Sequence, residues 1–182
     1  DGESRWHIFN DDVIELGEYA RATIFLERAS DKTYLQKYGF YGDQPYLDSG
    51  AKLEVFGQSS YVVADAHIFQ ELRDVSGIYT APDGNILPNI RAIHQTAPLF
   101  GETYATFSGD VLGISGDGTS TQRIIGDARL TTPWTLWGGN RLTASISARY
   151  DLYHFDNTEM VDGGRFSGFK NRFLPSGYLE WG

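Results

Sequence analysis

The chain has 182 residues, and its 24 acidic and 15 basic side chains give a formal net charge of −9. This acidity argues against nucleic acid as a partner, because nucleic-acid-binding domains normally carry a basic patch or stripe. The absence of cysteine excludes a disulfide framework, a thiolate nucleophile and a cysteine-ligated zinc within these residues. The high content of glycine (21), tyrosine (11), phenylalanine (11) and tryptophan (4) favours β-structure over a helical bundle.

Apolar and polar residues alternate through most of the chain, which is the pattern of half-exposed β-strands. In chain order, the alternation predicts strands at residues 19–27, 51–56, 61–70, 89–96, 103–113, 123–131, 141–152 and 177–181. It is strictest in residues 141–152, which are longer than a typical strand and match the length that a tilted strand needs to cross a bilayer. A run of about 18 apolar residues, which a transmembrane helix would need, does not occur in the sequence.

Turn signals separate the predicted strands. Residues 57–60 and 137–140 are short enough for tight hairpins, whereas longer polar connections are predicted at residues 73–86, 115–121 and 155–168. Short turns that alternate with longer loops are typical of outer-membrane barrels. We therefore predict an all-β fold, an antiparallel up-and-down meander of about seven to nine strands that forms part of a large transmembrane β-barrel.

The two faces of the predicted strands differ in chemistry. One face is rich in alanine, glycine, isoleucine and leucine, and the other carries arginine, aspartate and threonine. The inner face of a soluble sandwich would be the bulkier one, since two sheets must interdigitate, so we expect lipid on the apolar side and a hydrated lumen on the other. The residues predicted to face this lumen are Asp65, Asp110, Arg123, Asp127, Arg129, Arg141, Thr143, Ser145, Ser147, Arg149 and Asp151.

Aromatic residues lie near the ends of the predicted strands, where interfacial girdles form in membrane barrels. The residues expected in such girdles are Tyr19, Tyr61, Tyr104, Trp134, Trp137, Tyr150 and Tyr153.

Sequence motifs for catalysis are absent: the chain has no nucleophile elbow, zinc-protease motif or phosphate-binding loop. The four histidines lie in separate segments without metal-ligand spacing. Paired carboxylates can perform acid–base chemistry, but interleaved opposite charges more often form cross-strand pairs. We therefore predict a protein that is not an enzyme, with no catalytic, cofactor-binding or metal site.

An ordered series of motifs resembles the LptD family, the lipopolysaccharide-assembly proteins also called organic solvent tolerance proteins. Residues 29–40, ASDKTYLQKYGF, are similar to the family stretch SD-x-x-YL-x-x-YGF. Further matches follow in the family's order along essentially the whole chain: residues 69–73 (FQELR), 86–90 (ILPNI), 122–123 (QR), 133–134 (PW), 138–139 (GG), 149–153 (RYDLY) and 172–175 (RFLP). The series looks most like the alphaproteobacterial branch.

The resemblance implies a very large barrel in the bacterial outer membrane, preceded by a periplasmic jelly-roll domain. Residues 1–182 would be a single block of interior strands of the C-terminal barrel. The implied function is the assembly of lipopolysaccharide into the outer leaflet. The implied partners are lipopolysaccharide, a plug lipoprotein (LptE or an equivalent), the transport bridge through the periplasmic domain, and outer-membrane lipid.

Two alternatives remain open at this point. A diffusion porin or another outer-membrane barrel would share the alternation but not the motifs. A soluble carbohydrate-binding β-protein would use exposed tryptophan and tyrosine side chains as sugar platforms.

Overall fold

The computed structural model describes residues 4–40, 45–72, 84–116, 118–161 and 163–182. Nine strands form one antiparallel sheet in which the spatial order follows the order along the chain. The strands are β1 (His7–Glu15), β2 (Ala20–Ala29), β3 (Tyr46–Phe56), β4 (Ser60–Glu71), β5 (Asn85–Gln95), β6 (Tyr104–Gly116), β7 (Thr119–Thr135), β8 (Arg141–Glu159) and β9 (Arg165–Trp181). The predicted all-β meander is confirmed.

Helical structure is confined, in the described ranges, to the short helix α1 (Tyr34–Tyr38) and a 3-10 helix at Trp137–Gly139. None of the helices that the structure describes is long and apolar enough to cross a membrane.

Two of the predicted long connections are wrong. β6 extends to Gly116 and β7 begins at Thr119, so residues 115–121 are mostly strand. β8 and β9 likewise continue through most of residues 155–168, with a bulge between Phe155 and Thr158. Backbone pairing with the neighbouring strand holds these segments extended although their side chains do not alternate. Of the third connection, residues 73–83 lie outside the described residues.

The strand register assigns each side chain to one of two faces. The apolar face, on the side of Ile146, carries large hydrophobic side chains that are more than a third exposed: Ile24, Leu53, Val62, Ile68, Phe107, Ile124, Trp134, Ile146, Tyr150, Phe173, Leu179 and Trp181. The opposite side, which we call the charged face, includes Asp151 and Arg149.

Few hydrophobic side chains are buried. Within the described residues they are Ala29, Tyr34, Leu35, Leu47, Val63 and Ala105. A main cluster forms where Tyr34 and Leu35 of α1 pack against Ala29 of β2 and Leu47 of β3, with Leu35 and Leu47 almost fully buried. In the part of the chain that the structure describes, no second layer covers either face of the sheet, unlike in a soluble sandwich. An apolar surface of this extent marks contact with lipid or another apolar partner.

Asp31 organises the turn that follows β2. Its carboxylate accepts hydrogen bonds from the backbone N–H and the hydroxyl of Thr33, at 3.1 and 3.0 Å, and lies 3.7 Å from the guanidinium of Arg5. Partial desolvation favours the neutral form, but the Thr33 hydrogen bonds and Arg5 outweigh it and hold the pKa of Asp31 below its ordinary value.

Gly50 allows close packing in the middle of β3. It pairs with Phe25 on β2 and His67 on β4, whose ring centroids are 5.2 Å apart. A Cβ atom on Gly50 would collide with the carbonyl oxygen of Ala66 and lie 2.7 Å from the Cζ atom of Phe25.

We therefore expect Gly50→Ala to lower the free energy of unfolding of the full-length barrel by about 1–3 kcal/mol, the usual cost of overpacking. Gly126→Ala is the control, because an added Cβ on this β7 glycine meets nothing within 4 Å; it should change stability by no more than about 1 kcal/mol. Urea denaturation monitored by tryptophan fluorescence measures both changes. Equal losses would contradict the steric argument.

Candidate functional site: the charged face of the sheet

The eleven polar residues singled out by alternation lie on one face of the sheet. β7 and β8 place Asp127 opposite Arg149 and Arg129 opposite Ser147. The register continues outward through β6 to β4, and the series comprises Asp65, Asp110, Arg123, Asp127, Arg129, Arg141, Thr143, Ser145, Ser147, Arg149 and Asp151. That this face lines a lumen remains a prediction.

Asp151 is the centre of an ion-pair triad that joins β8 to β9. Its carboxylate is fully buried and accepts a hydrogen bond of 2.7 Å from the Nε atom of Arg149. Its other oxygen accepts hydrogen bonds of 3.1 and 2.5 Å from the Nε and Nη2 atoms of Arg172. Two guanidinium groups therefore compensate one buried carboxylate.

A second network links β2, β3 and β4 through Glu54, which is 5 % exposed. The carboxylate accepts hydrogen bonds of 2.8 Å from Arg21 and 2.7 Å from the hydroxyl of Tyr61, and the ammonium of Lys52 lies at 3.2 Å. Sequence reasoning missed this network. Alternation places the four residues on one face, but only the strand register brings them together.

Two further carboxylates on the charged face have partners. Asp110 accepts hydrogen bonds of 2.7 and 3.2 Å from Arg123 on the neighbouring strand. Asp65 accepts a hydrogen bond of 2.9 Å from the side-chain amide of Asn89, and the Nε2 atom of His67 lies 3.3 Å away.

Other members of the set have no such partners. Within the described residues, the side chains of Asp127, Arg129 and Arg141 make no hydrogen bond or ion pair. Several hydroxyl side chains lie beside Arg129 on the charged face, on the side of the β7–β8 connection at residues 136–140. They pair with each other, as in the hydrogen bond of 2.6 Å between Ser147 and Ser176.

The aromatic residues predicted to form a girdle are divided between the two faces of the sheet. Trp134 and Tyr150 lie on the apolar face, opposite Leu142 and Gly126 in the register. Tyr61, Tyr104 and Tyr153 instead lie on the charged face. The reason is parity: a residue near a strand end lies on the apolar face only if it falls on the same alternate positions as the apolar residues of that strand.

The chemistry of the charged face is ionic and hydrogen-bonding. No group of histidine, aspartate and glutamate residues in the described ranges is arranged to hold a metal ion. The face offers paired charges, a few unpaired charges and many hydroxyls, which suits contact with water and polar solutes.

Comparison with known proteins identifies the chain. A search among curated proteins found no match. The profile of the family LptD, described as LPS transport system D, matches residues 3–182, which include all nine strands and the motif series. The match favours the transport interpretation over a diffusion porin or a soluble carbohydrate-binding protein. The chain therefore belongs to the LptD family, which transports lipopolysaccharide to the outer membrane of Gram-negative bacteria.

Proposed function

We propose that these strands form part of the wall of an outer-membrane barrel, with the charged face towards a hydrated lumen and the apolar face towards lipid. The observation that carries the proposal is the strand register, which collects the ion pairs of the sheet on one side and most of its exposed large hydrophobic side chains on the other. The barrel inserts lipopolysaccharide into the outer leaflet without a catalytic step.

Burial energetics supports this orientation. A charged side chain on the lipid side of a barrel costs about 2–4 kcal/mol at the bilayer midplane. The carboxylates of Asp151 and Glu54 and their arginine partners would thus be strongly unfavourable in lipid. A water-filled interior accommodates them at small cost, because the half-exposed arginines stay hydrated while they pair.

Mixed charge also suits the cargo. Lipopolysaccharide presents an anionic, sugar-rich head group and several acyl chains. A uniformly basic wall would hold the phosphates too tightly, and an apolar wall would strip water from polar groups at several kcal/mol each. A wall in which most charges already have partners, such as Arg123 with Asp110, exchanges hydrogen bonds with sugars and releases them.

The proposed partners follow from the same arrangement. The charged face contacts lipopolysaccharide and a plug lipoprotein, LptE or an equivalent, inside the barrel, and the apolar face contacts outer-membrane lipid. A periplasmic domain connects the barrel to the other components of the lipopolysaccharide-transport bridge.

Photocrosslinking in living cells tests the proposal with the full-length protein. Probes that replace Thr143 or Ser145, on the charged face, should capture lipopolysaccharide or the plug lipoprotein. Matched probes one residue away, at Ala144 or Ile146 on the apolar face, should capture only bulk membrane lipid.

Two results would contradict the proposal. One is capture of lipopolysaccharide or the plug lipoprotein by the Ala144 and Ile146 probes alone. The other is failure of both charged-face probes together with free passage of small solutes through the purified barrel, which would indicate a porin.

A further inference from the structure

Charge is unevenly distributed along the charged face. On β1–β4 the face carries two cations, Arg21 and Lys52, and seven carboxylates: Asp11, Glu15, Glu27, Asp48, Glu54, Asp65 and Glu71. On β5–β9 it carries four carboxylates, Asp110, Asp127, Asp151 and Glu180, and seven cations: Arg91, Arg123, Arg129, Arg141, Arg149, Lys170 and Arg172. The chain is strongly acidic as a whole, yet this half of the face is basic.

Four of these cations converge on one open groove of about 530 Å³, which we call the arginine groove. Its charged lining consists of Arg91, Arg123, Arg129, Arg149, Asp110 and Asp127. The positive charges outnumber the negative ones, and the groove is large enough for a sugar ring with an anionic substituent.

The four arginines of the groove differ in whether an acidic side chain of the protein already pairs with them. Arg123 is held by Asp110 at 2.7 Å, and Arg149 by Asp151 at 2.7 Å. Arg129 is exposed and makes no hydrogen bond or ion pair within the described residues. The side chain of Arg91 is 61 % exposed, and its guanidinium is 3.9 Å from Asp65. Arg129 and Arg91 thus retain donors for an external anion.

Hydroxyl groups adjoin the arginine groove beside Arg129. A second hollow, of about 270 Å³, is lined by Arg129, Ser145, Ser147, Ser176 and Tyr178. Hydroxyl side chains both donate and accept hydrogen bonds and so match the hydroxyls of a sugar. Arginine matches phosphate or carboxylate, because its planar fork donates two parallel hydrogen bonds.

We propose that the arginine groove and the adjoining hydroxyls form a binding site for an anionic saccharide, with Arg129 and Arg91 on the phosphate or carboxylate and the serines on the sugar hydroxyls. This site rests on the proposed function, because it requires the charged face to meet water and cargo. Asp127 lies within the groove and moderates its affinity, as a transient holding site needs. The acidic half on β1–β4 would repel the same ligand and so restrict it to one side of the wall.

Binding measurements on the purified full-length protein test the site. The probe is the deacylated, phosphorylated oligosaccharide released from lipopolysaccharide, titrated by calorimetry at low ionic strength. Arg129→Gln should weaken its affinity by about tenfold, because the variant removes one charge-assisted contact, and Arg91→Gln should weaken it by a smaller factor. Arg141→Gln removes the same charge from the same face outside the groove, and it should leave the affinity unchanged.

Three results would overturn the proposal. The first is an equal loss of affinity in Arg129→Gln and Arg141→Gln. The second is unchanged affinity for an oligosaccharide whose phosphates have been removed and whose carboxylates have been reduced, and the third is an affinity for inorganic phosphate alone that equals the affinity for the oligosaccharide. Capture of only the plug lipoprotein by a photocrosslinking probe at Ser108, in the groove lining, would also overturn it and would indicate an acidic protein segment as the occupant. In each case the Thr143 crosslink tests the proposed function separately, because Thr143 lines neither hollow.

Discussion

Replacing Ile146 with arginine is expected to destabilise the full-length barrel by about 2–4 kcal/mol, the cost of a cationic side chain on the lipid side near the midplane. Ile146 is 64 % exposed and lies within the apolar row of β8 that runs from Leu142 to Leu152. It pairs with Leu130 on β7 and Gly177 on β9, so no acidic side chain lies directly across from it.

The adjacent residue provides the matched control. Ser147 is on the charged face, next to Arg129 and Ser176, and Ser147→Arg should cost much less because the new guanidinium reaches water. Both variants can be unfolded with urea in lipid vesicles and monitored by the heat-dependent electrophoretic shift of folded barrels. A loss of stability at Ser147 equal to that at Ile146 would contradict the assignment of the faces.

Strict alternation is what made most of the sheet predictable from the sequence. β8 carries uncharged residues on one parity and polar residues on the other, so its faces can be read without a structure. β1 was missed because each of its faces mixes polar and apolar residues: Asn10 and Asp12, for example, lie on the same face as Ile8 and Ile14. Its pairing with β2 holds it in the sheet without help from a hydrophobic pattern.

Strand ends were harder to predict for a related reason. Residues 119–122 of β7 are serine, threonine and glutamine, a composition that indicates a loop when it is considered alone. All four residues nevertheless pair with β6, and residues 120–122 also pair with β8. Backbone hydrogen bonds do not depend on side-chain polarity, so composition marks where the apolar face ends and not where the strand ends.

Within the candidate site, the common face was predictable and the choice of partners was not. Alternation placed Asp127, Arg149 and Asp151 together, and a cross-strand pair between Asp127 and Arg149 would be the natural expectation. Arg149 instead donates a hydrogen bond to Asp151 on its own strand, and Asp151 also accepts hydrogen bonds from Arg172 on β9. Which ion pairs form depends on strand register, strand twist and side-chain length, and the alternation of polar and apolar residues does not specify these.

A large loss of stability is also expected when the ion-pair triad of Asp151, Arg149 and Arg172 is broken. Asp151→Asn keeps the size of the side chain but removes its charge, so Arg149 and Arg172 lose their common counter-ion and repel each other. The two guanidinium groups are 41 and 54 % exposed and stay hydrated, so most of the loss comes from the buried position of residue 151. There, strong hydrogen bonds to a carboxylate are lost, and the amide that replaces it is left incompletely paired. We expect the temperature at which the folded barrel unfolds to fall by several degrees, as measured by the electrophoretic shift of the full-length protein.

Asp127→Asn is the control for the loss of charge, since Asp127 lies on the next strand and makes no hydrogen bond or ion pair within the described residues. It should leave the unfolding temperature nearly unchanged. Combining Asp151→Asn with Arg172→Gln should recover part of the loss, because the second substitution removes one of the two uncompensated charges. If the double variant is as unstable as the sum of its single substitutions, the two side chains are not coupled, and the triad does not hold β8 to β9.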